Sequence, residues 1–240
     1  MLKIQKKYLH LTVSLFVKII LNIFIVFYVA NQVSVSDFGI FSLAFIISTL
    51  ISLCLDYGFN LKVLSLTSHS EKYINNEISS MLMGKKIIMF ILLLFLLVIV
   101  GFNNYDFNSK LIILILGLSA FPNSFGLFYV NNFKIYNCFD KEAIAYVIQA
   151  IVLIFSLCII EINNYNNIIY YSLALFFARL SFFMFGILIF SKSIKFNLKS
   201  AKIIEGIESI KLSFTYATHL ILAALIIYID TFILSILTDL

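Results

Sequence analysis

Apolar residues along this chain occur in runs of about 20, separated by shorter polar segments. The clearest run extends from Phe38 to Gly58; it follows a Ser-Asp-Phe-Gly turn at 36–39 and contains one charge, Asp56, near its end. A helix of this length spans roughly 31 Å at ~1.5 Å per residue, about the thickness of a bilayer hydrocarbon core. The pattern therefore predicts transmembrane helices.

Six further runs of similar length predict an all-α polytopic membrane protein with about seven transmembrane helices. A polar segment at 61–83 has the apolar spacing of a surface helix, and a basic segment at 191–212 predicts an interfacial helix. The predicted spans are about 11–30, 38–60, 84–102, 111–130 (broken at 120–124 around Pro122), 142–162, 168–190 and 214–237, and the lipid-side stripe of the interfacial helix is Ile203, Ile204, Ile207, Ile210 and Leu212.

Composition agrees with this pattern. Hydrophobic residues make up 62% of the chain and charged residues 12%, whereas soluble domains have about 45–50% and about 25%. The net charge of +5 could indicate nucleic-acid binding, but the lysines lie in short segments beside apolar runs, where they set membrane orientation. We therefore expect no nucleic-acid partner.

The positive-inside rule orients the chain. With the N-terminus in the cytoplasm, 14 of the 17 basic residues fall on the inner side and Lys110 alone lies in an outer loop, while Lys18 and Arg179 lie within helices. The outer loops reach only about eight residues, which leaves little room for the outward-facing site of a glycan polymerase or ligase.

The motifs of common enzymes are absent from the sequence. It contains no phosphate-binding glycine loop, no His-Cys metal cluster and no Ser-His-Asp arrangement, and its three cysteines lack metal-ligand spacing. We expect a protein that is not an enzyme and that uses no cofactor or metal.

Charges within the predicted helices are the candidate functional residues, because an ionisable group at the bilayer centre costs about 2.5–3.5 kcal/mol and usually faces the bundle or a wet cavity. Arg179 is near the midplane of the sixth span, and Lys18 is roughly 10 Å inside the first. Asp56 lies near the inner end of the second span and Asp230 in the outer half of the seventh. Two cations, with no acidic residue in the first helix, favour an anionic substrate.

Structural roles for the same residues stay open at this point. Lys18 and Asp56 lie at similar depths on consecutive helices and could form a salt bridge. Arg179 could face a lumen, or could pair with Asp230 or a tyrosine hydroxyl. Pro122 could be a packing kink, or the discontinuity at which a transporter helix flexes or binds substrate.

Three stretches resemble polysaccharide flippases of the MOP (multidrug/oligosaccharidyl-lipid/polysaccharide) superfamily, of the Wzx or O-antigen type. They are SDFGIFSLAFIISTLISLCLDYGFN, the segment NNFKIYNCFDKEAIAYVIQAI after Pro122, and YIDTFILSILTDL with Asp230. The first resembles the family's G-x-x-x-F-G-x-Y-S-L-A and D-x-G pattern, with Ser34 or Ser36 in place of a common Gly and Phe41 in place of the Tyr.

This resemblance implies a domain organisation. Family members have twelve to fourteen helices in two six-helix lobes around a central cavity. Residues 1–212 would then form the first lobe, and residues 213–240 would hold the seventh helix at the start of a second lobe. A fragment, a truncated gene and a half that assembles with another chain all fit this interpretation.

The resemblance also implies a function: moving undecaprenyl-pyrophosphate-linked oligosaccharide from the inner to the outer leaflet of the bacterial inner membrane by alternating access. Related lipid II flippases have a basic residue in helix 1, at about the place of Lys18. Lys18 and Arg179 would bind the pyrophosphate or acidic sugars, and Asp56 and Asp230 would balance charge or couple to an ion. Implied partners are the lipid-linked substrate, membrane lipid, a polysaccharide polymerase and a chain-length regulator. The alternatives are a cation-coupled multidrug exporter of the same fold and a non-transporting scaffold of a glycan-synthesis complex.

Overall fold

Long helices account for nearly all of the structure, a computed structural model that describes residues 2–66, 70–102, 106–136, 138–165, 167–193, 201–220 and 222–223. No strand occurs within these ranges. The helices are α1 (Leu2–Gln32), α2 (Val35–Asp56), α3 (Phe59–Ser65), α4 (Glu71–Phe102), α5 (Phe107–Ile135), α6 (Phe139–Ile162), α7 (Ile168–Ser193) and α8 (Ile203–Leu212).

Six of these helices are long and apolar enough to cross a membrane: α1, α2, α4, α5, α6 and α7. The prediction of an all-α polytopic membrane protein is therefore confirmed. The predicted seventh span lies largely outside the described residues; the chain is helical at 214–220 and at 222–223.

The start of α2 lies earlier than the sequence pattern indicated. Ser34 is the N-cap, and its hydroxyl accepts a hydrogen bond from the Asp37 backbone N–H at 3.2 Å, as a capping serine does. The predicted turn at 36–39 is therefore wrong, because these residues already belong to the helix.

The end of α2 also differs from the prediction. Tyr57 and Gly58 both have positive φ, 46° and 75°, and a left-handed residue at this position ends a helix. The predicted span 38–60 therefore stops at Asp56, and the short helix α3 begins at Phe59.

The third span is longer than predicted. The polar surface helix expected within 61–83 and the span expected at 84–102 are joined from Glu71 onward into the single helix α4. Its first turns carry polar residues and its remainder is apolar, so the change in polarity marks where the helix leaves the membrane.

Helix α5 is the centre of the bundle. In an 18-residue apolar stretch of α5, 61% of the residues are buried, compared with 17% in the corresponding stretches of α1 and α4. Helices α2 and α7 pack along α5, α6 packs against α7, and α1 packs mainly against α6. Large apolar side chains remain exposed on the outer helices, for example Phe16, Phe155 and Phe177, as expected for surfaces that face lipid.

Helix α8 crosses α4 where two glycines meet. A Cβ added to Gly206 would lie 2.9 Å from the Met83 side chain and 3.1 Å from the Gly84 backbone nitrogen, so the close approach of the helices requires small residues. On the opposite side of α8, Ile203, Ile204, Ile207 and Leu212 are exposed. Ile210 is the exception to the predicted lipid-side stripe, because it packs against the protein core beside Gly84.

Candidate functional site

A small polar cavity lies among α1, α5, α6 and α7. Its volume is about 60 Å³. Both cations singled out from the sequence, Lys18 on α1 and Arg179 on α7, line it. The other lining residues are Asn22, Asn123, Tyr146 and Gln149, with four leucines (Leu21, Leu127, Leu153, Leu175).

Arg179 is held at the buried side of this cavity and is only 5% exposed. Its Nη1 donates hydrogen bonds to Ser48 Oγ at 2.5 Å and to Ser119 Oγ at 2.6 Å, which ties α7 to α2 and α5. The guanidinium also lies 5.5 Å from the centre of the Phe45 ring. These groups orient the side chain without neutralising it, and no carboxylate of the described residues forms an ion pair with it.

The sequence left Asp230 and a tyrosine hydroxyl as possible partners of Arg179. Among the described residues, the hydroxyls that it contacts belong to Ser48 and Ser119. Asp230, the other predicted partner, lies outside the described residues.

Lys18 is exposed on α1, at the open side of the same cavity. The salt bridge that Lys18 could have formed with Asp56 is not present; in the described part of the chain, the ion-pair partner of Asp56 is Lys85. Lys18 lies within electrostatic range of Lys134, Glu142 and Asp56. No ion pair joins it to a carboxylate among the described residues.

Lys85, next to the start of the predicted third span at 84–102, is fully buried. Its Nζ donates a hydrogen bond to Ser124 Oγ at 3.0 Å and lies 3.8 Å from Asp56 Oδ1. The ammonium also lies between two aromatic rings, 5.6 Å from the centre of Phe125 and 5.4 Å from that of Phe128. This cluster joins the C-terminal end of α2 to α4 and α5.

The sequence carries only part of the signal for this buried lysine. Adjacent residues on a helix point about 100° apart, so Lys85 and Lys86 face different sides of α4, but the sequence does not indicate which side packs inward. Lys86 is exposed and Lys85 points inward. Asp56, at a similar depth on a neighbouring span, was the available acidic partner.

Pro122 lies within an unbroken helix, because α5 is continuous from Phe107 to Ile135. The predicted break at 120–124 is therefore wrong. The polar residues that follow Pro122 instead connect helices: Asn123 Nδ2 donates to Ser52 Oγ at 3.2 Å, and Ser124 accepts from Lys85.

Two ion pairs at the predicted cytoplasmic end join neighbouring helices. Lys134 Nζ lies 3.2 Å from Glu142 Oε1, and Lys62 Nζ lies 2.9 Å from Glu77 Oε2. At the opposite end, the Tyr28 hydroxyl donates to Glu161 Oε1 at 2.6 Å. The described residues contain no group of three or more His, Cys, Asp or Glu side chains placed to hold a metal.

Comparison with known families gives a match along nearly the whole chain. The model of a family described as polysaccharide biosynthesis protein matches residues 4–240. The chain belongs to this polysaccharide biosynthesis protein family. Neither a curated protein nor a solved structure matches the chain.

Membership in the polysaccharide biosynthesis protein family confirms the resemblance to MOP-type flippases. It supports a transporter of polysaccharide intermediates in general, with a lipid-linked saccharide as substrate, in a multi-pass membrane protein. The family is of the transporter type and is not known as a catalytic family. The polar cavity that both Lys18 and Arg179 line is therefore the candidate substrate-facing site.

Proposed function

We propose that this protein is a flippase that moves undecaprenyl-pyrophosphate-linked oligosaccharide from the inner to the outer leaflet of the bacterial inner membrane by alternating access. The observation that carries the proposal is that, in a polysaccharide biosynthesis family member, Lys18 and Arg179 line one cavity with no carboxylate among its lining residues. A site with this charge favours the diphosphate of the substrate.

The two cations have different parts in this proposal. The cavity, at about 60 Å³, is far smaller than the roughly 300–1,000 Å³ of typical ligand pockets, so it does not enclose a diphosphate sugar. Lys18, exposed at its open side, contacts the diphosphate directly. Arg179 stays on its serine hydroxyls and raises the local positive potential from behind, where the low dielectric of the bundle strengthens its field.

The two aspartates are proposed to have roles that do not involve substrate contact. Asp56 balances the charge of Lys85 at the end of α2. Asp230 is proposed to balance charge or to couple transport to an ion in the seventh span.

The same proposal sets the domain organisation and orientation. Residues 1–212 form a six-helix lobe, and residues 213–240 form the seventh helix at the start of a second lobe. The N-terminus lies in the cytoplasm, as the lysine distribution predicts. A polysaccharide polymerase and a chain-length regulator are the proposed protein partners.

Complementation tests the site. In a strain that lacks the gene for this chain, Lys18→Ala and Arg179→Ala should each reduce surface polysaccharide at equal protein level, and Lys18→Arg should retain most of it because the charge stays. Lys110→Ala, in the predicted outer loop, is the matched control and should behave as wild type. Normal polysaccharide in both Lys18→Ala and Arg179→Ala would contradict the assigned site.

A further inference from the structure

A second and much larger cavity lies on the other side of the α5–α7 pair. It is a groove of about 750 Å³ between α4 and α7, with α5 as its floor. Pro122 and Leu180 line the groove, whereas their neighbours in sequence, Asn123 and Arg179, line the polar cavity. One layer of two helices therefore separates the two spaces.

The walls of the groove are apolar and largely aromatic. They include Met89 on α4, Phe121 and Phe125 on α5, and Phe176 and Phe183 on α7. Along α7 the lining extends from Phe176 to Ile187, which is about 16 Å at ~1.5 Å per residue. This length is about half of a ~30 Å hydrocarbon core, or one leaflet.

The groove contains one cation among its lining residues. It is Lys86 on α4, which lines the groove between Met83 and Met89. The Lys86 side chain is exposed, and its ammonium has no ion-pair or hydrogen-bond partner among the described residues. A lysine at this depth can place its charge among lipid headgroups while its methylene stem covers apolar surface.

Helix α8 marks the level of those headgroups. It begins at Ile203, two residues after Ala201, packs on α4 at Met83 and Gly84, and exposes Ile203, Ile204 and Ile207. Such a helix lies in the membrane interface with its apolar face toward the acyl chains. Lys86, two residues after Gly84, therefore lies close to the level of the interface, and the apolar lining of the groove extends from there toward the bilayer centre.

We propose that this groove binds one acyl chain of an anionic phospholipid, with the lipid phosphate at Lys86. The phospholipid comes from the leaflet at this end of the bundle, which the lysine distribution assigns to the cytoplasm. Groove length matches a single leaflet, and the charge of Lys86 complements the headgroup. The polyprenyl tail of a substrate held at Lys18 does not fit this role, because the α5–α7 pair stands between Lys18 and the groove.

The absence of tryptophan from the chain makes fluorescence quenching a direct test. Phe183→Trp and Phe176→Trp each place a single reporter in the groove, and Val147→Trp places one at a comparable depth on exposed α6. Each variant of the full chain is reconstituted in phosphatidylethanolamine bilayers that contain brominated phosphatidylglycerol, or brominated phosphatidylethanolamine at the same fraction.

The groove reporters should show about fivefold tighter binding of brominated phosphatidylglycerol than of brominated phosphatidylethanolamine, as expected for one lysine near an anionic headgroup. Lys86→Met should abolish this preference, whereas Lys110→Met should leave it unchanged and the Val147→Trp reporter should show none. Equal quenching by both lipids, or a preference that survives Lys86→Met, would overturn the proposal. Groove reporters that neither lipid quenches would also overturn it, because the groove would then be covered by protein.

Discussion

The replacement of Lys85 by methionine tests the buried charge cluster most sharply. Methionine keeps the length and apolar stem of the side chain but removes its ammonium. Asp56, which is 7% exposed, then loses the cation 3.8 Å away and keeps Asn60 as its polar partner, through the backbone N–H at 3.3 Å and the side chain. Ser124 loses the donor at 3.0 Å.

The size of the effect follows from these contacts. Removing one member of a buried ion pair costs about 3–5 kcal/mol, because the remaining charge is left buried and uncompensated. At 3.8 Å this pair is longer than a direct hydrogen bond, so we expect the lower end, about 3 kcal/mol. That loss corresponds to about two powers of ten in the unfolding equilibrium constant.

Reversible unfolding of the chain in mixed dodecyl maltoside and SDS micelles, followed by far-UV circular dichroism, measures this free energy. Lys86→Met is a matched control at the next position and should change stability by less than about 0.5 kcal/mol. The double variant Asp56→Asn/Lys85→Met removes both charges and should regain most of the loss. The reasoning fails if Lys85→Met is no more destabilising than Lys86→Met, or if the double variant is no more stable than Lys85→Met alone.

Two further stability predictions use the same assay. Gly58→Ala should destabilise the protein by about 1–3 kcal/mol, because φ is +75° and the new Cβ would lie 2.5 Å from Tyr216 Cβ. Gly39→Ala, which has open space around it, is the control and should be neutral or stabilising by up to about 1 kcal/mol. Equal changes in the free energy of unfolding for the two variants would contradict this prediction. Ser48→Ala combined with Ser119→Ala should cost about 1–3 kcal/mol for each donor left unsatisfied on Arg179. An unchanged unfolding midpoint in that double variant would show that the serines do not hold the guanidinium.

The positions of the six spans could be predicted from the sequence because lipid imposes a simple requirement. A membrane helix needs about 20 consecutive apolar residues, since unsatisfied backbone groups cannot face hydrocarbon. The run at 168–190 therefore coincides closely with α7, Ile168–Ser193. The sequence also singled out the charged residues that lie within the spans. Two of them, Arg179 and Lys18, line the polar cavity.

Which side of each helix faces the bundle was harder to predict from the sequence. Every face of a span is apolar, so hydrophobic periodicity carries little information on which face packs inward. Lys85 and Lys86 look equivalent in the sequence, yet one is fully buried and the other exposed. For the same reason the pairing of Asp56 with Lys85 instead of Lys18 required the packing of α2 against α4 and α5.

Helix ends depended on local backbone chemistry that the apolar pattern does not report. The run continues past Asp56, but the left-handed Tyr57 and Gly58 end α2 there. Pro122 suggested a break, but α5 continues through it; a proline within a membrane helix is tolerated when neighbouring groups satisfy the freed backbone.

Deletion of the gene for this chain in its source organism tests the central claim most directly. The measurement is the amount of lipid-linked oligosaccharide in extracted membranes, compared with the amount of surface polysaccharide, in the deletion strain and after complementation. A flippase predicts that lipid-linked repeat units accumulate in the inner leaflet while surface polymer is lost, and that complementation reverses both. Unchanged surface polymer with no accumulated intermediate would contradict the proposed function.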